Sequence, residues 1–409
     1  MHAVAEASGT MTKQSTVEEA QSGLRPGRLF FAASAGMSVF GIVVALLGTL
    51  FGLPEMRVRL GMNLAQQGDL FSLLFVGLLV ATVAVGPTID RFGNKLVLLV
   101  SSALVTLALI GFAAAESYRA AGLAIVLLGF GGGGLNTATN VVVSDVYPED
   151  RGRMLNLLGI FFGVGALFIP LVAASIFGLF SIPGLMLLAA AGSASCVLLY
   201  AVFTFPPPRE AASFSMREVV RSARYPGVAL FAALCFLQSG NEACISGWTS
   251  TYIGCAGWSP RTATWILAGY WVTMMCGRLL SSRAVAWMGK PRLVLLSACA
   301  GATGCALLLA ARSMPVLLAG VALAGVSFAP IYPTTLAIVG DRYQRFAGTV
   351  FGLLFSVGIV GGMVFPWTLG HVSQDFGVRA GMALPLGGAI AIAIVAAIIS
   401  RRAPDGRLG

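Results

Sequence analysis

Residues 129–170 read GFGGGGLNTATNVVVSDVYPEDRGRMLNLLGIFFGVGALFIP, and a related pattern recurs 196 residues later in APIYPTTLAIVGDRYQRFAGTVFGLLFSVGIVGGMVFPW (329–367). Four residue pairs share this offset: Gly93 and Gly289, Asp145 and Asp341, Gly165 and Gly361, and Pro170 and Pro366. A chain that is built twice from one template, and that is apolar nearly throughout, predicts two packed helical bundles with a path between them.

The composition is that of a membrane protein. Of the 409 residues, 57% are hydrophobic and only 10% are charged, whereas soluble domains carry about 25% charged residues. Glycine is abundant, with 51 copies, as expected where helices approach closely in lipid. The net charge of +10 comes from Lys and Arg in short loops, which favours an orientation signal over nucleic-acid binding.

The hydrophobic pattern predicts an all-α protein with twelve transmembrane helices. Each predicted span reaches the length of about 20 residues that a bilayer requires. The spans are 28–53, 66–89, 94–115, 118–144, 154–177, 181–205, 227–254, 263–288, 292–312, 314–340, 347–372 and 377–400.

The loops predict the domain organisation and the orientation. Residues 1–26 are polar and predict a disordered tail, and 206–226 predict a linker between two six-helix bundles, 27–205 and 227–400, with a short tail at 401–409. If the N-terminus is inside, nineteen Lys and Arg lie in inner segments and six in outer loops. We therefore expect a multi-pass protein of the inner (plasma) membrane with both termini cytoplasmic.

A loop between the second and third spans, Gly86-Pro-Thr-Ile-Asp-Arg-Phe-Gly-Asn-Lys95, resembles the GxxxDRxGxK signature of the major facilitator superfamily. The finer resemblance, over essentially the whole chain after residue 30, is to the fucose/proton symporter family of sugar transporters and its sodium-dependent glucose transporter relatives. The segments 129–170, 240–252, 269–280 and 329–367 carry it. It implies the major facilitator fold and transport of a sugar together with an ion.

Two departures from that family affect the expected coupling. The family has an Asp in the first span and an acid in the fourth, whereas here the first span contains no acid and the fourth has Asn136. A neutral amide does not carry a proton near physiological pH, so we do not expect proton coupling by that route.

Glu242 in the seventh span is the leading candidate for substrate binding and proton coupling. It is the only acid between Glu218 and Asp341, and an ionisable group at membrane depth usually faces a cavity. Arg278 lies inside the eighth span and is the second predicted coupling residue. It could pair with Glu242, hold a closed gate or extend to the inner surface. A structural ion pair with Arg278 is the alternative role for Glu242.

Polar residues on three spans, the fourth, the seventh and the tenth, predict a substrate site. Asn136 and Asn140 are four residues apart and share a helix face, which suits a ligand that needs donors and acceptors without net charge; the alternative is hydrogen bonding between helices. Pro330 and Pro333 should break the tenth helix and free backbone carbonyls. The predicted substrate-binding residues are Asn136, Thr137, Asn140, Gln238, Asn241, Glu242, Trp248, Tyr332 and Thr334.

Charged residues near the inner surface predict a gate. An acid at one helix end can pair with an arginine on another, lock one state and release it during the switch; ordinary solvation is the alternative. The predicted gating residues are Asp90, Arg91, Asp145, Arg151, Arg153 and Asp341. His371, near the outer end of the eleventh span, is interpreted as structural.

The sequence thus predicts a secondary transporter and no enzyme, since no phosphate-binding loop, nucleophile elbow or zinc spacing occurs. We expect no cofactor, no bound metal and no nucleic-acid partner. The expected ligands are a monosaccharide or similar small polar solute and protons, with sodium possible, for a protein that acts as a monomer in the bilayer. An exporter of amphipathic metabolites or drugs, a facilitative uniporter and a non-transporting membrane receptor are alternatives.

Overall fold

The computed structural model describes residues 25–175, 181–206, 226–343 and 347–402, and the regular secondary structure of these ranges is entirely helical. The predicted tail 1–26, linker 206–226 and tail 401–409 lie almost wholly outside them. The described helices are α1 Pro26–Phe51, α2 Pro54–Leu60, α3 Leu64–Ala114, α4 Tyr118–Val146, α5 Arg151–Ser175, α6 Ile182–Val202, α7 Pro226–Cys255, α8 Pro260–Met288, α9 Lys290–Ala310, α10 Met314–Phe328, α11 Ile331–Arg342, α12 Ala347–Phe376, α13 Val378–Gly381 and α14 Ala383–Arg402.

These helices make twelve crossings in the described ranges. Ten segments are long and apolar enough to span a bilayer, among them α3 and the stretch that joins α10 to α11. The 51-residue α3 is kinked at Gly93 and supplies two crossings, and the more polar α8, with 29 residues, supplies the twelfth. An even number of crossings places Pro26 and Arg402 on one side, which we call the terminal face; the opposite side is the distal face.

Helix starts follow from the placement of proline and asparagine. Pro26, Pro54 and Pro260 occupy the first turn of α1, α2 and α8, where a missing N–H costs nothing. The Asn63 side chain accepts from the backbone N–H of Gln66, whose side chain accepts from Asn63 N–H in return, and this capping box begins α3.

The internal repeat is visible in the backbone and in the packing. Gly93 and Gly289 end the two equivalent loops with nearly the same dihedral angles, φ 82° and ψ 165° against φ 75° and ψ 158°. Only glycine adopts such angles without strain. A Cβ added to Gly165 of α5 would overlap the carbonyl of Ser38 on α1, and one added to Gly361 of α12 would overlap the carbonyl of Phe236 on α7.

The two bundles meet in the distal half of the molecule. Ser72 Oγ donates to the Met363 carbonyl at 2.8 Å across the α3–α12 seam. Gln67 Nε2 donates to Thr251 Oγ1 at 3.0 Å between α3 and α7, and Arg261 Nε donates to the Ala174 carbonyl at 3.2 Å between α8 and α5. These bonds hold the distal face closed.

The predicted break in the tenth span is confirmed. α10 ends at Phe328 and α11 begins at Ile331, because Pro330 and Pro333 cannot donate the hydrogen bonds of a continuous helix. The Phe328 carbonyl at this break accepts instead from Gln238 Nε2 of α7, at 3.1 Å.

Candidate functional site

Glu242 lies near the middle of α7, one helical turn after Gln238. Its side chain is partly buried, lies beside Gln238 and is within electrostatic reach of Arg278 on α8. Gln238 is fully buried, and its amide nitrogen donates a hydrogen bond to the Phe328 carbonyl. The break between α10 and α11 therefore fixes the side chain that borders Glu242.

Arg278 reaches from α8 to the other bundle. Its Nη1 donates to the Gly159 carbonyl of α5 at 3.4 Å, and its guanidinium carbon lies 5.8 Å from the centroid of the Phe162 ring. Among the described residues, no ion pair within 4 Å joins Arg278 to Glu242. Glu242 and Arg278 thus interact electrostatically without forming an ion pair, and the arginine is held by α5.

Several buried polar atoms around Glu242 have no hydrogen-bond partner in the described part of the chain. Tyr270 lies within electrostatic reach of both Glu242 and Arg278, and Trp271 is the next residue of α8. The unpartnered atoms are Gln238 Oε1, Tyr270 Oη, Trp271 Nε1 and Arg278 Nε. Because buried polar groups in proteins almost always have partners, this set of two N–H donors, one hydroxyl and one amide oxygen suits a polar ligand.

Aromatic rings border the same region. The centroid of the Trp271 ring lies 5.5 Å from that of Tyr270 and 6.0 Å from that of Phe162 on α5. Tyr332 of α11 is within electrostatic reach of Glu242. A ligand here would meet aromatic faces from both bundles together with the polar atoms.

The α4 residues predicted to bind substrate share one partly exposed face, as expected from their spacing. Asn140 Nδ2 donates to the Asn136 carbonyl oxygen at 2.7 Å and to its side-chain oxygen at 3.2 Å. Thr137 is also partly exposed. The two amides therefore interact within α4, and their contact with a ligand stays a prediction.

The structure does not bring Asn241 and Trp248 into the cluster around Glu242. Asn241 is fully buried and its Nδ2 donates to the Pro385 carbonyl of α14 at 3.1 Å. Trp248 is fully buried, and its ring centroid lies 6.1 Å from that of Phe71 of α3, in the distal closure. Positions 136, 140, 238 and 241 consequently do not line one continuous pocket in this state.

On α11, Tyr332 is partly exposed while Thr334 is buried. The Tyr332 ring lies 5.9 Å from that of Phe355 on α12. The backbone N–H of Thr334 donates to the Pro330 carbonyl at 3.0 Å, which restarts the helix after the break. Of the two, Tyr332 is the residue placed near Glu242.

The predicted gating residues lie at the terminal face. Asp341 forms an ion pair with Lys290 at the start of α9, within the second bundle. Arg91 stacks on Phe92 at 5.0 Å. The remaining predicted gating residues are exposed or partly exposed: Asp90, Asp145, Arg151 and Arg153.

Sequence reasoning missed Asp69 of α3. Its Oδ1 lies 3.9 Å from His371 Nε2 of α12, so His371 has a charged neighbour on the other bundle. The sequence signal that could have identified Asp69 was an acidic residue at the distal end of a predicted span. The pairing is not visible in sequence, because 302 residues separate the two positions.

This architecture, with two repeated bundles closed at one face and a polar cluster at mid-depth, is that of a solute transporter. A family model described as Major Facilitator Superfamily matches residues 29–366 and 231–408. The chain belongs to the Major Facilitator Superfamily, whose matched relatives and structural neighbours are transporters and not enzymes. The finer resemblance to fucose/proton symporters stays a prediction.

Among curated proteins, the chain is 21% identical over 357 residues to an uncharacterized MFS-type transporter of Yersinia pestis, covering 84% of this chain and 87% of that protein. It is 27% identical over 146 residues to solute carrier family 2, facilitated glucose transporter member 12, of Mus musculus, covering 35% of this chain and 24% of that protein.

Solved transporter structures share the fold. A point mutant of the nucleoside transporter NupG superposes with a TM-score of 0.77 at 17% identity, over 91% of this chain and 99% of that one. A D-xylose–proton symporter superposes with a TM-score of 0.77 at 14% identity, over 90% of this chain and 96% of that one. At such identities the likeness concerns the fold alone.

Proposed function

We propose that this protein is a secondary active transporter of a monosaccharide or a similar small polar solute, coupled to protons through Glu242. The carrying observation is the group of unpartnered buried polar atoms that surrounds Glu242, on Gln238, Tyr270, Trp271 and Arg278. Hydroxyl groups both donate and accept hydrogen bonds, so a polyhydroxyl solute pairs with these donors and with the Gln238 oxygen.

The aromatic rings support the same solute class. One face of a pyranose or furanose ring carries mostly C–H groups, and these pack on Trp271 or Tyr332 while the hydroxyls face polar atoms. The names of the facilitated glucose transporter, the D-xylose–proton symporter and the nucleoside transporter concern those proteins, yet all three solutes carry a hydroxylated sugar ring. That shared feature adds weight to the proposal.

Proton coupling rests on the isolation of Glu242. It is the only acid between Glu218 and Asp341, and its nearest described cation, Arg278, is held by the Gly159 carbonyl and not by an ion pair. An acid at membrane depth is expensive to keep ionised. Glu242 therefore binds a proton more readily in some states of the cycle than in others.

Alternating access follows from the closed distal seam. In the proposed cycle the described state is inward-facing, with the terminal face on the cytoplasmic side of the plasma membrane. Rocking of the bundles opens the distal face and brings the terminal ends together. Asp90, Arg91, Asp145, Arg151, Arg153 and Asp341 then pair across the terminal face, which gives them their gating role.

The test is solute uptake by purified protein in proteoliposomes, first with a panel of hexoses, pentoses, deoxy sugars and nucleosides. A solute that raises the thermal unfolding temperature identifies the ligand, since a ligand stabilises the state that it binds. Glu242→Gln should then abolish accumulation driven by an inward pH gradient and preserve solute exchange at equal pH. Glu116→Gln, in an exposed distal loop, is the matched acid control.

Accumulation by Glu242→Gln at the wild-type rate would exclude Glu242 as the coupling site. If wild-type uptake depends on a sodium gradient and not on the pH gradient, the coupling ion is sodium and not the proton. Equilibration without accumulation under either gradient would make the protein a facilitative uniporter. An unfolding temperature that no sugar or nucleoside changes would overturn the solute class.

A second candidate, an exporter of amphipathic metabolites or drugs, is favoured by a specific apolar seam. The Phe162 ring lies 5.4 Å from Phe40 and 6.0 Å from Trp271, and Met275 packs against Gly163. Methionine and aromatic side chains adapt to apolar ligands of varied shape. Thermal stabilisation by amphipathic cations, with none by sugars, is the result that selects this candidate.

A further inference from the structure

The distal seam contains a charged pair that the proposed transport site does not use. Asp69 lies near the start of α3 and His371 lies near the end of α12, so the pair joins the two bundles. His371 Nε2 is 3.9 Å from Asp69 Oδ1, and the two side chains are 40% and 34% exposed. They are therefore accessible to protons from the distal solution.

Each partner is oriented by its own bundle. His371 Nδ1 lies 3.0 Å from the Trp367 carbonyl, and the His371 ring stacks on the Trp367 ring with centroids 4.2 Å apart. Asp69 Oδ2 accepts from the Tyr118 hydroxyl of α4 at 3.3 Å. The facing atoms, Nε2 and Oδ1, are consequently held in place before any proton binds.

The chemistry of imidazole gives this arrangement a proton dependence. A neutral ring that donates from Nδ1 to the Trp367 carbonyl presents the lone pair of Nε2 to the Asp69 carboxylate, and the two repel. A protonated ring donates from both nitrogens, so it bonds Trp367 and attracts Asp69 at once. Histidine changes charge between about pH 5 and 8, within the range that a cell surface meets.

We propose that Asp69 and His371 form a second proton-binding site, which latches the distal face when it is occupied. Opening of the distal face separates α3 from α12 and breaks the pair, so a bound proton favours the closed state. The proton binds between the bundles, in contrast to Glu242, which lies within α7. This inference rests on the fold and holds whichever solute is carried.

Other charged groups near His371 are few in the described ranges. Tyr118 contacts Asp69 from α4, and Asp375 lies one turn further along α12 and is exposed. Arg379 of α13 donates from Nε and Nη2 to the Leu309 carbonyl, at 3.2 and 2.9 Å. Its guanidinium is therefore turned toward α9, and Asp69 is the group that faces Nε2.

The test measures the distal opening directly. Spin labels are placed at Glu116→Cys on the first bundle and Phe376→Cys on the second, in a full-length variant whose seven native cysteines are replaced. Double electron–electron resonance then gives the populations of short and long distances from pH 8 to pH 5. We expect the ratio of closed to open protein to rise about two- to five-fold, the range for a partly exposed ion pair.

Two variants isolate the pair. His371→Gln and Asp69→Asn retain polar side chains, and each should abolish the change with pH, with no further effect when they are combined. Asp375→Asn removes an exposed acid from the same helix and should leave the change intact. Glu242→Gln should also leave it intact, which separates this latch from the proposed coupling site.

Persistence of the full pH response in His371→Gln would overturn the latch, and so would distal distances that do not change with pH in the parent protein. Loss of the response in Glu242→Gln alone would assign it to the central acid and contradict the proposal. Size-exclusion chromatography and thermal unfolding of each variant confirm that the fold is kept, so a lost response reports on the pair.

Discussion

The two bundles share a backbone plan but differ in chemistry. A Cβ added to Gly129 of α4 would overlap the Leu74 carbonyl of α3, and one added to Gly325 of α10 would lie 2.9 Å from the Tyr270 carbonyl of α8. In the second bundle, both the glycine and the carbonyl that it faces lie 196 residues after their counterparts in the first. At that same offset, however, the ring of Tyr270 replaces the side chain of Leu74.

The difference extends to the charged residues. Arg278 of the second bundle corresponds to Thr82 of the first, whose hydroxyl donates to the Leu78 carbonyl of its own helix at 2.9 Å. Between Leu29 and Phe51, α1 carries no charged residue, whereas its counterpart α7 carries Glu242. The duplicated template therefore preserves close helix packing, and the candidate site is built mainly on the second copy.

The largest expected effects are losses of stability at the glycines where helices pack closely in both bundles. Gly165→Ala and Gly361→Ala should each destabilise the protein by at least about 2 kcal/mol, because the new Cβ would meet a backbone carbonyl that cannot move alone. Thermal unfolding in detergent measures the loss. Gly192→Ala and Gly387→Ala, where the added Cβ meets nothing within 4 Å, are the controls. A similar loss in the controls would contradict the packing account.

Next in size is the chemical difference between the bundles. Arg278→Gln should reduce solute transport about 10- to 100-fold, since a hydrogen bond from a charged group contributes about 1.5–3 kcal/mol. Thr82→Ala, at the corresponding position of the first bundle, should stay within about two-fold of wild type. Initial uptake rates in proteoliposomes measure both. Equal losses of uptake in the two variants would show that the two bundles contribute equally to transport.

The broken tenth span predicts a smaller effect. Gln238→Leu leaves the Phe328 carbonyl without its donor and should lower stability by about 1–3 kcal/mol. The corresponding part of α4 is unbroken, and Thr139 there bonds only the carbonyls of Leu135 and Asn136 within its own helix. Thr139→Val should cost less than about 0.5 kcal/mol. Chemical denaturation measures the free energy of unfolding of both variants. A larger loss of stability in Thr139→Val than in Gln238→Leu would contradict this prediction.

The smallest effect is expected at the terminal face. Lys290→Ala removes the ion pair with Asp341, whose side chains are 36% and 68% exposed. Such pairs contribute about 0–1 kcal/mol and are screened by salt. The unfolding temperature should fall only slightly, and the difference from wild type should vanish at about 1 M salt. A large loss that salt does not change would mean that Asp341 is part of a buried network.

Most of the fold could be predicted from the sequence, because lipid leaves few options for apolar segments. The twelve spans, the shared offset and the break at Pro330 each follow from local rules of length, glycine placement and proline chemistry. The predicted loop between the second and third spans coincides with the non-helical dihedral angles at Gly93. The short helix α2 between the first and second spans was not predicted, because seven residues show too little periodicity.

The candidate site was only partly predictable. Glu242 and Arg278 stand out in sequence as charges inside apolar spans. Two hydrogen bonds depend on how the helices rotate about their axes. Asn241 donates to the Pro385 carbonyl, and Arg278 donates to the Gly159 carbonyl. Spacing within one helix does not fix that rotation, and the Asp69–His371 pair depends in addition on the docking of the two bundles.

The central claim is that two rigid bundles rock about the region of Glu242. Double electron–electron resonance across the full transport cycle tests it most directly, with one label pair at the distal face, one at the terminal face and one within each bundle. As conditions shift the protein between states, distal distances should lengthen as terminal distances shorten, while distances within each bundle stay constant. Changes within a bundle, or distances between the bundles that never change, would contradict the account.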